Sequence, residues 1–160
     1  MKIGFASDIH RLVYGRKLML CGVHVDHPMG ELAHSDGDVV YHAVAESILG
    51  ALGLGDLGKH FPDTDPKLKN IDSAYIVKTV VYNMKIRGYY VNNIDVSITL
   101  EKPKLKPYID EMRANLARLL EVSVSDVNIK AGTNEKCDAL GLSLAVKAES
   151  IVLLMKNEEK

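Results

Sequence analysis

The chain has 160 residues, 47% hydrophobic and 26% charged, with 12 Gly and 5 Pro, the composition of an ordinary globular domain and not of a disordered, collagen-like or fibrous chain. Twenty Lys and Arg against 21 Asp and Glu leave a formal net charge of −1, which gives no general attraction to nucleic acid or to an anionic membrane. Any phosphate binding has to come from local arrangement. A chain of this length buries roughly two thirds of its unfolded surface and reads as one domain over residues 1–160. Cys21 and Cys137 are too few for a disulfide framework and form no CxxC pair, which favours a reducing compartment. No apolar run approaches the ~20 residues that span a bilayer, and the N-terminus lacks a signal-like pattern, so a cytoplasmic location is expected.

Residues 2–7 are apolar or small in alternation, and residues 16–25 form a second apolar stretch, so two strands are expected with a turn near Tyr14 and Gly15. From Asp38 to Leu52 the apolar residues Val39, Val40, Ala43, Ile48, Leu49 and Leu52 recur near helical period. Ser35 or Asp36 is placed to cap this helix, and Gly53 and Gly55 to end it. Residues 55–71, dense in Gly, Pro and Asp, predict a long loop, and such loops in small domains are more often functional than idle. A second helix follows over 72–87, capped by Asp72 or Ser73 and stopped by Gly88, and then a strand over 89–100. Pro107 opens a third helix carrying Ile109, Met112, Leu116, Leu119 and Leu120. Residues 127–131 predict a strand, 132–141 a loop, and 142–155 a last strand. Strands and long helices alternate, so the class is α+β (mixed α/β), a mixed sheet packed on long helices.

Asp8 and His10 are two apart on a predicted strand, so both side chains leave the same face. With His42 from the first helix they make an Asp-His-His set with one open position, a pattern of catalytic zinc. Taken alone, an Asp-x-His pair is equally the polar end of a strand, and a lone His42 is more often packed on its helix. The run His34-Ser35-Asp36-Gly37-Asp38 precedes that helix, where free backbone N–H groups favour an anion. A simple capping segment reads the same way. Asp56, Asp63 and Asp65 in the long loop suit either solvated turns or a lid that binds hydroxyl groups. Glu135, beside Lys130, Thr133 and Lys136, is a carboxylate able to hold a hard cation.

Five blocks lie in order along nearly the whole chain: GFASDIHR (4–11), AHSDGDVVYHA (33–43), LGDLGKHFPDTDP (54–66), PKLKPYIDEMR (103–113) and KAGTNEK (130–136). Together they resemble the 2-C-methyl-D-erythritol 2,4-cyclodiphosphate synthase family of non-mevalonate isoprenoid synthesis. The resemblance implies a homotrimer with the sheets facing a central axis and each active site between neighbouring chains. It implies conversion of 4-diphosphocytidyl-2-C-methyl-D-erythritol 2-phosphate to the cyclic diphosphate and CMP. By the same resemblance Asp8, His10 and His42 hold zinc, Glu135 holds magnesium or manganese, and His34 and Thr133 stabilise the transition state. Ser35, Asp56, Leu57, Gly58, Phe61, Pro62, Asp63, Thr64 and Asp65 contact the methylerythritol phosphate. Leu100, Pro103, Lys104, Leu105, Lys106, Ala131, Gly132 and Asn134 hold the cytidine nucleotide.

The sequence departs from the family pattern at several places. Glu46 stands for a usual Asp, Gly132 and Asn134 for common threonines, Ala139 for an aromatic residue, and Leu142 and Leu144 for an Arg and a Glu near the trimer axis. These last changes predict an apolar axial lining with little affinity for isoprenoid diphosphates. Two other readings compete with the synthase: a zinc phosphohydrolase that activates water at the open metal position, and a binding module that has lost turnover.

Overall fold

Thirteen residues, Lys2–Tyr14, form the first strand, β1, well beyond the expected residues 2–7. Its even-numbered residues from Gly4 to Leu12 turn inward, but two of them are Asp8 and His10. The apolar alternation therefore fades while the strand continues. The computed structural model, which describes residues 1–157 except Asp63, continues with β2 (Leu18–Leu20), β3 (Val23–Val25) and β4 (Met29–Glu31). The apolar stretch 16–25 is thus a hairpin and not one strand. Leu20 pairs with Val23, and the two residues between, Cys21 and Gly22, have φ of 53° and 72°, as a two-residue type I′ turn demands.

Helices α1 (Val39–Leu52), α3 (Ser73–Ile86) and α4 (Ile109–Leu120) lie near their expected places. Asp72 is the N-cap of α3, and Gly53, at φ 71°, closes α1. Pro107 starts a 3-10 turn, Lys106–Tyr108, that leads into α4. The expected loop 55–71 contains the short helix α2 (Leu57–His60) and a 3-10 turn, Pro66–Leu68. The expected loop 132–141 ends in the short helix α5 (Asp138–Gly141). The remaining strands are β5 (Tyr89–Thr99), β6 (Val127–Gly132) and β7 (Ala145–Lys156), so the last segment is a strand as its alternation indicates.

The five-stranded sheet runs β4-β1-β7-β5-β6, antiparallel except for the β5 and β6 pair. That one parallel pair is joined by a crossover through α4, as parallel neighbours require. The fold is a mixed α+β sheet with its long helices against one face. Val91, Ile94, Val96, Ile98, Val146, Ala148 and Val152 point into this helical layer and are buried. On the other face Ile3, Phe5, Ile9 and Ile151 are 64%, 62%, 55% and 47% exposed, beside the ion pairs Lys147–Glu149 and Lys130–Asp95.

Helix α1 lies between the sheet and α3 and is apolar on nearly all sides. The first turn of α1 is held from outside the helix. Asp38 is 0% exposed, and its carboxylate accepts from Val40 N and Tyr41 N of the helix and from Cys21 N and Gly22 N of the hairpin turn. The Val39 N–H is taken by Glu31 Oε2 at 2.9 Å. Ser35 and Asp36 are therefore not the cap. The expectation of free N–H groups for an anion at this helix start is also corrected, because protein carboxylates already accept from them. Further along, the backbone of α1 passes so near β1 that a Cβ on Gly4 would stand 1.8 Å from the Ser47 carbonyl oxygen. Gly4→Ala forces strand and helix apart and is expected to cost about 3 kcal/mol, a fall of about 9 °C in melting temperature by thermal unfolding.

Candidate active site

Asp8 and His10 leave the inward face of β1 near the sheet's end, and His42 sits one turn into α1, above them. Asp8 Oδ2 lies 3.1 Å from His10 Nε2 and 3.3 Å from His42 Nδ1, and the two ring nitrogens are 3.3 Å apart. A tetrahedral ion with bonds of about 2.05 Å has donors about 3.3 Å from one another. The three atoms therefore form one face of such a tetrahedron, and their donor set, two imidazoles and a carboxylate, fits a divalent metal with a fourth position open. The three side chains are half-buried or less exposed than that, at 28% for Asp8 and 12% for each histidine.

Burial is the largest single influence on Asp8 and opposes its ionisation, but the hydrogen bonds and charges of His10 and His42 outweigh it and hold the carboxyl well below the usual range. For His10 burial likewise favours the neutral ring, yet the carboxylates of Asp8 and Glu31 push its pKa up to about 10. Each ring also has a partner on the side away from the cluster. His42 Nε2 is 3.0 Å from Ser73 Oγ and 3.1 Å from Ser35 Oγ, and Ser73 Oγ in turn donates to Asp36 Oδ1. With Nδ1 facing the cluster, His42 carries its proton on Nε2 and donates along this chain. His10 Nδ1 is 2.6 Å from Glu31 Oε2 and 2.7 Å from the Gly37 carbonyl.

The Asp8, His10 and His42 cluster opens onto a cavity of about 270 Å³ lined by His10, His34, Ser35, His42, Leu57, Phe61, Pro62 and Leu68, among others. The expected substrate residues Leu57, Phe61 and Pro62 are thus brought to the metal site by the loop after α1. His34 is exposed at this cavity, and its carbonyl accepts from Asn70 N. The Ser35 hydroxyl, by contrast, is buried and engaged with Gly37 N, Ser73 and His42. Asp56 caps α2 through Lys59 N, with Gly58 exposed on the same turn. Thr64 is exposed, Asp65 is half-buried with its N–H on the Pro62 carbonyl, and Asp63 lies outside the described residues. Glu46, one turn after His42, feels burial and the charges of Asp8 and Asp56, which together raise its pKa.

A second cavity, of about 500 Å³, lies at the end of β5 and β6 and is lined by Leu100, Glu101, Pro103, Lys104, Leu105, Lys106, Ile109, Ala131, Gly132 and Thr133. It gathers all the expected nucleotide residues except Asn134, whose backbone N–H donates to Glu101 Oε2 beside it. Thr133 Oγ1 is 3.2 Å from Glu135 Oε1, both exposed. The two cavities stand at the same end of the sheet, because Ile9 pairs with Lys147, Lys147 with Thr99, and Thr99 with Gly132. That row crosses three strand spacings, about 14 Å. Sequence reading missed Glu31, Ser73 and Asp36 as partners of the ligand rings. Only Ser73 and Asp36 carried any signal, as capping candidates.

Ser73→Ala breaks the link from His42 to Asp36 while leaving the Asp72 cap of α3 in place. It is expected to weaken divalent metal binding about tenfold in a competition titration with little change in melting temperature. The sign of the pH dependence follows from His10. With its pKa raised from 6.5 to about 10, the metal-free ring keeps a proton on Nε2 at neutral pH that the metal must displace. Metal affinity is therefore expected to rise with pH above neutrality, with proton release on binding measurable by calorimetry in buffers of different ionisation heat.

Residues 1–155 match the YgbB family. A 2-C-methyl-D-erythritol 2,4-cyclodiphosphate synthase of Fusobacterium nucleatum subsp. nucleatum is 50% identical over 158 residues, covering 99% of each chain. Among solved structures, the bifunctional IspDF from Campylobacter jejuni superposes with a TM-score of 0.92 at 38% identity, over 98% of this chain and 42% of that one. A 2C-methyl-D-erythritol-2,4-cyclodiphosphate synthase in its CDP-bound form gives 0.89 at 36% identity, over 96% of this chain and 100% of that one. With this likeness running the length of the chain and through both cavities, the chain belongs to the YgbB family, alongside proteins named 2-C-methyl-D-erythritol 2,4-cyclodiphosphate synthase.

Proposed function

We propose that the chain is a cyclodiphosphate synthase that converts 4-diphosphocytidyl-2-C-methyl-D-erythritol 2-phosphate to 2-C-methyl-D-erythritol 2,4-cyclodiphosphate and CMP. The observation that carries this reading is the Asp8, His10 and His42 triangle opening onto a cavity of small-ligand size, with a nucleotide-sized cavity at the same end of the sheet. Zinc is assigned to the triangle, and magnesium or manganese to Glu135. In the reaction an oxygen of the 2-phosphate forms a bond to the β-phosphorus, and the bond from that phosphorus to the oxygen of the CMP phosphate breaks, its electron pair leaving with CMP. Bound divalent ions supply charge neutralisation and polarisation of the β-phosphoryl group.

The protein's own residues position these groups. Leu57, Phe61 and Pro62 enclose the methylerythritol end, and Asp56, Gly58, Thr64 and Asp65, with Asp63 beside them in sequence, are assigned to its polar groups. Leu100, Pro103, Leu105 and Ala131 offer apolar contact to the base, and Lys104, Lys106, Gly132 and Asn134 are assigned to the nucleotide's polar atoms. His34 and Thr133 donate to the oxygens on which charge builds in the transition state. No protein nucleophile is needed, so rate comes from orientation and electrostatics.

One chain does not bring the two halves together. Glu135 follows the end of β6 and the triangle stands on β1 and α1, three strand spacings away, about 14 Å, whereas ions acting on one diphosphate lie within a few Å of it. A neighbouring copy therefore completes each site, and the uncovered sheet face with Ile3, Phe5, Ile9 and Ile151 is the surface that such copies would share. We assign a homotrimer with these faces around its axis, each chain contributing residues 1–160 as one synthase domain. A cytoplasmic location is part of this proposal; separately, no helix among the described residues is long and apolar enough to cross a membrane.

Phosphorus-31 NMR of the protein with the diphosphocytidyl substrate, zinc and magnesium tests the activity. Cyclic diphosphate with CMP is the expected outcome; a linear product points to the hydrolase, and unchanged substrate to the binding module. His42→Ala is expected to lose zinc and to lower turnover at least about a hundredfold. Glu135→Gln is expected to lower turnover about a hundredfold with zinc content unchanged. Phe5→Asp buries a charge in the shared face, and light scattering should show monomers, inactive because each lacks half a site.

A further inference from the structure

Glu31, the last residue of β4, is 0% exposed. One of its carboxylate oxygens, Oε1, has no hydrogen-bond partner among the described residues. A buried, half-satisfied carboxylate is costly, and a position serving only to fill space is better occupied by an apolar side chain. Its other oxygen is fully used. Oε2 lies 2.6 Å from His10 Nδ1 and accepts from Val39 N at 2.9 Å.

The geometry fixes one proton at His10. Nδ1 also lies 2.7 Å from the Gly37 carbonyl, and a carbonyl can only accept, so Nδ1 bears a hydrogen shared between Gly37 O and Glu31 Oε2. Nε2, which faces Asp8 and His42, is the nitrogen that a metal would take once its proton is displaced. Gly37 is at φ +89°, and a Cβ there would meet the Glu31 Cβ at 2.8 Å, so the HSDGD segment packs directly over Glu31. The same Glu31 oxygen reaches Val39, the first residue of the helix that carries His42. One atom therefore ties the strand-borne ligand to the element bearing the helix-borne ligand.

We propose that Glu31 is a positioning residue for the metal: its carboxylate, through Nδ1–H of His10, aims the ring and strengthens Nε2 as a donor. This rests on the reading of Asp8, His10 and His42 as zinc ligands. A dication bound by one carboxylate and two neutral imidazoles keeps one positive charge, and Glu31 balances it from across the His10 ring. The buried acid thus finds its compensating charge in the loaded site. Neither the Asp-x-His spacing nor the HSDGD motif includes this residue.

Glu31→Gln separates charge from shape, since its amide oxygen can take over both bonds made by Oε2. Zinc affinity is measured by competition titration on wild type and variant, together with the proton resonance of His10 Nδ1–H in the zinc-loaded proteins by nitrogen-15 edited NMR. Zinc affinity is expected to fall at least about tenfold in Glu31→Gln. The Nδ1 proton is expected to remain present, held by Gly37, but to move upfield as its ionic acceptor is lost. Glu31→Leu, which also removes the acceptor of Val39 N–H, is expected to bind zinc more weakly still. Unchanged affinity in Glu31→Gln overturns the proposal, and so does a lower affinity with an unmoved Nδ1 resonance, which would mark a general loosening of the fold. Absence of zinc binding by the wild type would instead overturn the ligand assignment on which the proposal stands.

Discussion

The site depends on how the first turn of α1 is anchored. That turn contributes N–H groups that no helix can satisfy internally, and two carboxylates buried completely, Asp38 and Glu31, accept from them. Asp38 also closes the Cys21 and Gly22 hairpin turn, so hairpin and helix share one acceptor. The consequence is positional. His42 lies at a fixed height above β1, where Asp8 and His10 already share a face, and three donor atoms come to within about one tetrahedral edge of one another.

Close packing preserves this geometry. With no side chain on Gly4, the backbone of α1 rests against β1, and the Ser47 and Ser150 hydroxyls meet at 3.0 Å across the interface with β7. Small residues there let the helix approach, and the large apolar side chains of α1 fill the layer towards α3. The ligand rings stand at the rim of that layer, partly exposed, with hydrogen-bond partners on their inner sides. Rigid backing and an open outer face are what a metal centre that must admit a substrate requires.

The cavity at the end of β5 and β6, the candidate nucleotide site, is built by a different device. β5 and β6 run parallel and end together, so the chain leaves both at one edge and the segments 100–106 and 132–135 converge there. Backbone pairing of Leu100 N with Gly132 O and of Asn134 N with the Glu101 carboxylate closes the rim.

Much of this was legible in the sequence because it depends on local rules. Period 2 and period 3.6 patterns marked β5, α1, α3, α4 and β7, glycines marked helix ends, and the Asp-x-His spacing put two ligands on one face. The five motif blocks contain Asp8, His10 and His42, which the fold brings together, and most residues of the cavity at the end of β5 and β6. The tertiary structure decided what no local pattern encodes. Glu31 became a partner of His10 only because β4 pairs with β1, and Asp38, a local cap of α1, also holds two hairpin N–H groups only because the hairpin turn folds against it. Strand order likewise set the Asp8, His10 and His42 triangle three strands away from Glu135, a separation that arises from pairing between residues far apart in the chain and so has no signature in any one segment of it.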